Sequence, residues 1–474
     1  MKKLILIALL VGITVSCEDF EGWNVDTKKP SEVPSAYLFS NAEKSLFDYM
    51  TSTNVNDNIF KMYAQYWTET TYNDEANYDL KNRNIGGNFS SEMYRNVLMN
   101  LEDAKRAIGE DEFTDAGTKA NQTALANLLQ IFTYHVLVDT YGYKPYTEAL
   151  DVTNNIVPIY DSGSSIYTDL FARLDGVIAL LSEGGASFGS ADLVYHGDVS
   201  KWVKFANSLK LRMAVRIADV DNGTASSKAS EAVADGVFMS KSDNAAFPYE
   251  AGNPTNSNPL WKDLVQSGRK DFVVTNTFVD LISPLNDPRS PIFMADNFDP
   301  YIGGPYGDNN PYSDFTHIGD IFHTEDFEAI LISYSEVEFL LAEAVERGLI
   351  SGSASEHYAN GVKASMDYWG VSEVDADSYL AAQAYDSGNW KESIGIQKYI
   401  SLYGRGFEAW STWRLLDYPE MNRPVVSELP VPRRYIYGNF EGEVNGENYD
   451  AAASAMGGDN LDSRVFWDVV GQGN

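Results

Sequence analysis

The sequence has a single cysteine, Cys17, among its 474 residues. An intramolecular disulfide is therefore excluded, and with it the class of small secreted domains that depend on disulfides for their stability. A chain of this length buries a core large enough to fold without such cross-links. After residue 17 the sequence also lacks an apolar run of the ~20 residues that a transmembrane helix needs.

Basic residues are also scarce. Lys and Arg number 35 against 68 Asp and Glu, which gives a formal net charge of −33. This balance excludes nucleic acid as an expected partner, because binding to phosphates requires a basic face. Electrostatic attachment to anionic lipid is disfavoured for the same reason. Most of the carboxylates are expected on a solvated surface.

The first 16 residues have the pattern of a bacterial secretory signal. Lys2 and Lys3 precede an apolar run over 4–15, and Ser16 and Cys17 follow it. A basic start, a short apolar segment and a small residue at the cleavage site are typical of a signal that is removed. A cysteine at that site predicts a lipoprotein signal, with Cys17 as the lipidated N-terminus of the mature chain. The alternative is a plain signal peptide with an incidental cysteine.

The remainder is predicted to contain a tether and one domain. Residues 17–34 include Pro30 and Pro34 and show no periodicity, which indicates a lipidated N-terminal tether. From Ser35, a candidate N-cap, apolar residues recur at helical spacing. No later linker divides 35–474, which is therefore treated as a single domain. Further helices are predicted over 91–109, 116–141, 164–182, 200–220, 224–236, 335–347 and 354–369.

Two helical patterns are clear enough to predict details. Over 200–220, Trp202 and Leu209 lie on one apolar stripe, and Lys210 and Arg212 fall outside it. A second helix is predicted to end at Gly348, which supplies a left-handed stop.

That second helix begins with a recognisable start signal and is followed by a partner. Ser335 and Glu338 have the spacing of a capping box. A further helix over 354–369 follows a short turn, and alanines stand at close-packed positions. This is the helix hairpin of helical-repeat arrays.

The segments between the helices are long and rich in Gly, Pro, Asn, Asp and Tyr. Loops of this length in a compact domain are usually functional, and a helical scaffold that carries aromatic loops is a plausible binding architecture. These loops cover 67–90, 143–163, 240–275, 284–330 and 417–474.

Motifs for catalysis and for metal binding are sparse. Residues 185–189 match G-x-S-x-G but lack the strand–turn–helix context that a nucleophile needs. The histidines lack a metal-site spacing, and no carboxylate pair is singled out for glycoside hydrolysis. No cofactor is predicted. Oxygen ligands for a structural Ca²⁺ are present in one loop, where solvated acids are the favoured interpretation: Asp296, Asp299, Asp308 and Asp314.

Short sequence blocks follow one another in a distinctive order. One of them reads DTYGYKPYTEA, over 139–149, and another reads NDPR, over 286–289. The others lie within 24–34, 197–214, 336–344, 408–434 and 445–449. Behind a lipoprotein signal, the ordered set resembles the SusD/RagB-type (SusD-like) outer-membrane lipoproteins over nearly the whole mature chain. Within the blocks, Asp287 with Arg289 and Glu408 with Arg414 are predicted to be structural charge pairs.

The resemblance implies a mainly α fold, in which tetratricopeptide-like helix pairs form a scaffold with long aromatic-rich loops. It implies a lipid anchor in the outer membrane of a Bacteroidetes-type bacterium, with the protein facing outward. It also implies a partner, a SusC-like TonB-dependent β-barrel transporter. Members of the family capture nutrient oligomers, most often glycans and sometimes peptides, and perform no chemistry on them.

The resemblance also directs attention to two groups of loop residues as ligand contacts. Trp and Tyr would stack on the apolar faces of sugar rings, and Asn and Arg would bind the hydroxyls. The first group, after the opening helix, is Trp67, Tyr72, Asn73, Asn77 and Tyr78. The second, in the middle of the chain, is Asn256, Trp261, Arg269, Tyr301 and Tyr306.

Three alternatives to glycan capture remain open from the sequence. One is the capture of oligopeptides, which relies more on backbone hydrogen bonds than on a flat aromatic platform. Another is a surface glycoside hydrolase. The third is a structural lid without affinity for a ligand.

Overall fold

Several helices of the protein begin at a side chain that caps the first turn. The carboxylates of Asp115 and Asp198 accept hydrogen bonds from backbone amides at the starts of their helices, and the hydroxyl of Ser333 does the same. These caps satisfy amides that have no partner within the helix. The structure, a computed structural model, describes residues 33–181 and 184–469.

The described chain is mainly helical, which confirms the predicted fold class. Two π-helical segments, Met93–Leu98 and Lys262–Gln266, adjoin α-helices. The α-helices are α1 (Ser35–Thr51), α2 (Phe60–Tyr63), α3 (Ile85–Glu92), α4 (Met99–Glu110), α5 (Ala116–Tyr141), α6 (Gly163–Leu181), α7 (Val199–Arg216), α8 (Asn222–Asp235), α9 (Pro259–Trp261), α10 (Asn276–Ile282), α11 (Ser290–Phe293), α12 (Tyr334–Glu346), α13 (Ala354–Tyr368), α14 (Glu373–Ala382), α15 (Trp390–Ser401), α16 (Gly406–Leu416), α17 (Glu441–Val444) and α18 (Gly446–Ala455).

Helices that are neighbours in sequence pack against each other. Each helix in the series α4 to α8 packs against the next one, and α12 with α13 forms the predicted hairpin. Gly361 in α13 allows this close packing, because a Cβ there would lie 3.0 Å from the ring of Phe339 in α12. Within the described ranges, no helix combines the length and the apolar character needed to cross a bilayer.

The strands are short and occur as antiparallel pairs. They are β1 (Trp67–Glu69), β2 (Lys144–Pro145), β3 (Tyr160–Asp161), β4 (Ala246–Phe247), β5 (Phe272–Val274) and β6 (Ala329–Ile330). The pairs are β1 with β5, β2 with β3, and β4 with β6. Each pair ties two loops of the scaffold together.

The N-terminal predictions cannot be followed into the structure. The signal over 1–16, the lipidated Cys17 and the tether up to residue 32 lie outside the described residues. From Ser35 onward the described residues belong to one compact unit. Ser35 is the first residue of α1.

Two charged residues that lie outside the apolar stripe of α7 are nevertheless buried. Lys210 and Arg212 are 2% and 1% exposed, as buried as the apolar stripe. Helices surround α7 on several sides, so its charged side chains are buried with carboxylates: Lys210 pairs with Asp175 at 2.8 Å, and Arg212 pairs with Glu336 at 2.6 Å. Periodicity in apolar residues does not reveal such pairs.

The start of α12 also differs from the prediction, whereas its end agrees. Ser333, not Ser335, caps the helix, and it accepts a hydrogen bond from the amide of Glu336. Ser335 lies inside the helix and donates to the carbonyl of Gly361 at 2.8 Å. Gly348 has a φ of +69°, which confirms the left-handed stop.

One of the two predicted charge pairs forms. Arg289 binds Asp287 at 2.6 Å, and both are buried. The pairing of Glu408 with Arg414 was wrong. Arg414 instead donates to backbone carbonyls and to Ser411.

Helices α14, α15, α16 and α18 were not predicted, and neither were the short helices α2, α3, α9, α10, α11 and α17. The helix α16 is buried along its whole length and has no side-chain cap at its start, so its sequence lacks the start signal that marks a capped helix. Helix α18 lies within a segment that was predicted to be a loop.

Candidate ligand-binding site

The pairing of β1 with β5 brings together the two loops that were predicted to bind ligand. Trp67 lies opposite Val274, and Glu69 lies opposite Phe272. Beyond the strands, the amide of Thr70 donates to the carbonyl of Asp271 at 2.8 Å. The loop after β1 and the loop before β5 therefore leave the strands side by side.

A cleft of about 480 Å³ opens where these loops separate. Its volume is in the range of small-molecule sites. We refer to it as the loop cleft. Its walls are formed by three segments, 53–56, 69–83 and 263–272, and its functional side chains are Glu69, Tyr72, Arg83, Asp263, Arg269 and Asp271.

Tyr72 and Arg269 are predicted ligand contacts that line this cleft. Tyr72 is 72% exposed and has a φ of +56°, a left-handed conformation that a bulky residue rarely adopts. Such strain is commonly found at functional sites. Arg269 is ion-paired with Asp271, which raises the pKa of its guanidinium. The cleft thus presents an open aromatic ring beside a fixed cation.

Carboxyl groups line one wall of the loop cleft. Burial and the neighbouring Glu75 raise the pKa of Glu69 to about 9, so Glu69 is neutral at pH 7. Glu69 also accepts a hydrogen bond from the amide of Ala76 at 2.9 Å. Glu75 is ion-paired with Arg83. This wall therefore has a neutral carboxyl group beside an ion pair.

A second carboxyl group, Asp263, has a charge that depends on pH. Burial and the nearby Asp57 raise the pKa of Asp263 to about 6. Behind it, Lys61 donates to the carbonyls of Thr51 and Ser52, at 2.5 and 3.0 Å, and burial lowers its pKa to about 7. Asp263 is ionised at neutral pH and becomes neutral below about pH 6.

These side chains can bind a polyhydroxylated ligand. Arg83 and Arg269 supply N–H donors, Asp263 and Asp271 supply acceptors, and Tyr72 supplies an exposed ring. The described residues contain no cluster of three or more His, Cys, Asp or Glu that could hold a metal ion, and the four loop acids considered for Ca²⁺ do not form one.

A family model described as "Starch-binding associating with outer membrane" matches residues 27–438. The chain belongs to the SusD-like family. The description associates this SusD-like family with the outer membrane. SusD-like proteins bind without catalysing a reaction, and this chain is accordingly not an enzyme.

Solved structures of SusD-like proteins have the same fold. A "chitin-binding protein" is 27% identical, with a TM-score of 0.79 over 92% of this chain and 100% of that chain. A chitin-binding SusD homologue from Flavobacterium johnsoniae is 25% identical, with a TM-score of 0.78 over 91% and 99%. A SusD homologue from Bacteroides uniformis is 26% identical, with a TM-score of 0.80 over 91% and 99%. No curated protein matches this sequence.

Three of the aromatic residues predicted to contact ligand are buried in this SusD-like protein. Trp67 is fully buried, and its Nε1 donates to the hydroxyl of Tyr403 at 2.9 Å. Tyr306 is 1% exposed and donates to the carbonyl of Met62 at 2.8 Å. Tyr78 is 3% exposed and accepts from Gln65 at 3.2 Å. These rings pack in the core and leave no face open to a sugar.

The predicted asparagines of the first loop have structural contacts. Asn73 and Asn77 both donate to the carbonyl of Gly307, at 2.7 and 2.8 Å. Asn77 also accepts from the amide of Ser427 at 2.9 Å. Asn73 and Asn77 therefore join loops that are distant in the sequence. The spacing of residues in the sequence does not distinguish this structural role from ligand binding.

The remaining predicted residues lie outside the cleft lining. Trp261 is half-buried at the end of α9, immediately before the π-helical turn that carries Asp263. Tyr301 is half-buried against the core. Asn256 is half-buried, and its backbone carbonyl accepts from Glu250 at 2.9 Å.

Sequence reasoning missed the charged side chains of the loop cleft. Glu69, Arg83, Asp263 and Asp271 lie close in sequence to Tyr72 or Arg269. This proximity was the only signal in the sequence that could have identified them as cleft residues. Their charge alone gives no indication, because charged loop residues are usually solvated.

Proposed function

We propose that this SusD-like protein captures oligosaccharides in the loop cleft at the cell surface. It then passes them to a SusC-like TonB-dependent transporter without chemical change. Membership of a family described as starch-binding, together with two chitin-binding relatives at 25% and 27% identity, supports a glycan as the ligand. The observation that carries the proposal is the exposed Tyr72 in a cleft lined by donors and acceptors.

The proposed attachment rests on the N-terminal sequence. Cleavage after residue 16 leaves Cys17 as a lipidated terminus, 17–34 as a tether and 35–474 as the binding domain, which faces outward from the outer membrane. Incorporation of radiolabelled palmitate and protease treatment of intact cells test this arrangement. Cys17→Ser should abolish incorporation of the palmitate label. If the protein on intact cells were protected from external protease, the outward orientation would be contradicted.

The loop cleft is tested by binding measurements on the mature protein in detergent. Calorimetry and affinity electrophoresis would use chitin, starch and xylan fragments, with an oligopeptide library as the competing class. Tyr72→Ala should weaken glycan binding at least tenfold. Tyr37→Ala is the matched control, because Tyr37 is 69% exposed on α1 and is absent from the cleft lining.

The outcomes separate the candidate functions. Glycan binding that is lost with Tyr72→Ala and retained with Tyr37→Ala supports the proposal. Binding of peptides alone would replace glycan capture with peptide capture. Absence of any binding would favour a structural lid.

A further inference from the structure

A second cleft lies between helices α4, α5 and α6 and the turn that follows β2. Its volume is about 560 Å³, which is slightly larger than that of the loop cleft. Three successive helices and a turn form its walls, so the shape of the cleft is determined by the fold of the backbone. We refer to it as the helical cleft. The side chains that matter for its chemistry are Lys105, Gln130, Tyr134, Asp161, Asp169 and Arg173.

Two cations at the floor of the helical cleft share the same neutral acceptor. Gln130 is 1% exposed, and its Oε1 accepts from Lys105 at 3.0 Å and from Arg173 at 3.1 Å. Lys105 is also paired with Glu102 at 2.6 Å. Arg173 forms no ion pair with any residue that the structure describes, and its other strong bond is to the hydroxyl of Tyr146, at 2.8 Å. A guanidinium has five N–H donors, so Arg173 has donors left for a ligand.

Tyr134 adds a hydroxyl group to the same cleft. The residue is 2% exposed, and it lines the cleft together with Arg173. Burial raises the pKa of Tyr134, so the hydroxyl keeps its proton and can donate. Its ring meets that of Tyr146 edge to face, with the centroids 4.6 Å apart.

Carboxylates complete the lining and restrict the kind of ligand. Asp161 accepts from the amides of Tyr146 and Thr147, at 3.2 and 2.8 Å, and Asp169 accepts from the hydroxyl of Tyr146. An anion that approached Arg173 would also meet these carboxylates. A cation bound to the carboxylates would meet Arg173. A neutral polyol satisfies both, because each hydroxyl donates and accepts.

We propose that the helical cleft is a second binding site for neutral sugar residues, separate from the loop cleft. Arg173 and the hydroxyl of Tyr134 donate to the sugar, Asp161 and Asp169 accept from it, and the ring of Tyr146 forms an apolar side. The proposal rests on the proposed function in one respect, namely that the ligand is a glycan. Two such sites increase avidity for a polysaccharide that is long enough to span both.

The test uses calorimetry on the mature protein in detergent, with defined tetrasaccharides as probes. The neutral probes are the tetramers of N-acetylglucosamine, glucose and xylose, and the anionic probe is the tetramer of galacturonic acid. Arg173→Gln and Tyr134→Phe change the helical cleft, and Tyr72→Ala changes the loop cleft. Arg106→Gln is the control, because Arg106 is exposed on α4 and paired with Asp103. Thermal unfolding verifies that each variant is folded.

We expect that one of the three neutral tetramers binds to the protein at two sites. Arg173→Gln should weaken one of them at least tenfold, Tyr134→Phe about tenfold, and Arg106→Gln should leave both unchanged. A single site that is lost with Tyr72→Ala and unaffected by Arg173→Gln overturns this inference and leaves the proposed function standing. A single site that is lost only with Arg173→Gln supports the helical cleft and contradicts the loop cleft.

The remaining outcomes also decide the matter. Binding of the galacturonic acid tetramer alone, weakened by salt, would show an anion site and overturn the assignment to neutral sugars. Absence of binding by every probe would overturn both this inference and the proposed function.

Discussion

Arg216 donates to Glu408 through Nη2 at 2.7 Å and to Asp139 through Nε at 3.0 Å. The three residues belong to α7, α16 and α5, and each is at most 3% exposed. Trp467 adds a hydrogen bond from its Nε1 to Asp139, at 2.7 Å. A single guanidinium therefore joins three helices from distant parts of the chain.

Removing the charge of Glu408 should strongly destabilise the fold. Glu408→Gln leaves Arg216 and Arg212 buried with less compensating charge, and loss of one partner from a buried ion pair costs about 3–5 kcal/mol. Urea unfolding should show this loss in the free energy of unfolding. Asp103→Asn, which removes the partner of the exposed Arg106, should cause little change. Equal effects of the two substitutions would contradict the importance of the buried network.

A buried histidine should make the protein sensitive to mild acid. Burial lowers the pKa of His135 to about 4, from an ordinary value of 6.5. The unfolded chain then binds a proton more readily than the folded chain, so stability falls as the pH decreases from about 6.5 to about 4. His135→Gln should flatten the melting temperature over that range. An unchanged slope would assign the acid sensitivity to other groups.

How much the sequence predicted depended on the environment of each element. Helices α5 and α12 begin at a capping side chain and were predicted nearly to their ends, although both are buried over most of their length. Helix α16 has no side-chain cap at its start and was missed. Burial with distant partners hid Lys210 and Arg212, whose charges are compensated by carboxylates on other helices.

The candidate site was predicted less well than the fold. Tyr72 and Arg269 line the loop cleft, but Trp67 and Tyr306 are core residues. An aromatic residue in a loop-like sequence either faces solvent or packs inward, and the choice depends on contacts with distant segments. For Trp67 that contact is Tyr403. Periodicity contains no information about such contacts.

Ligand binding in the loop cleft should weaken in acid. Burial and Asp57 raise the pKa of Asp263 to about 6, so this acceptor is ionised at neutral pH and protonated below that value. Glycan affinity should be constant above about pH 7 and should fall as the pH decreases through 6. Asp263→Asn should remove the dependence. Calorimetry at a series of pH values measures the glycan affinity of the parent protein and of Asp263→Asn. If the affinity of Asp263→Asn still depended on pH, this carboxylate would be excluded as the source of the dependence.

Trp67 and Tyr72 should behave in opposite ways when substituted. Trp67→Phe removes the bond to Tyr403 and leaves a void, which should lower the free energy of unfolding by an amount on the order of 2 kcal/mol. Ligand affinity of the folded fraction should be retained. Tyr72→Ala should weaken binding and leave the denaturant midpoint unchanged. If folded Trp67→Phe bound the ligand more weakly than the parent protein does, Trp67 would be a ligand contact after all.

Glu69 should destabilise the protein as the solution becomes more alkaline. Its pKa is raised from 4.5 to about 9 by burial and by Glu75. The folded chain retains a proton that the unfolded chain releases, so this contribution to stability is lost as the pH rises from about 4.5 to about 9. Glu69→Gln has no such proton, and its stability relative to the parent should increase over that range. Glu110→Gln, at the exposed end of α4, is the matched control.

The pairing of β1 with β5 makes the loop cleft a late product of folding. Trp67 and Val274 are joined across more than two hundred residues of chain, and contacts of such separation close a long loop and form slowly. A nascent chain that has not yet emerged past β5 has Tyr72 but no cleft. Capture of a ligand therefore reports that synthesis and folding have reached at least the middle of the chain.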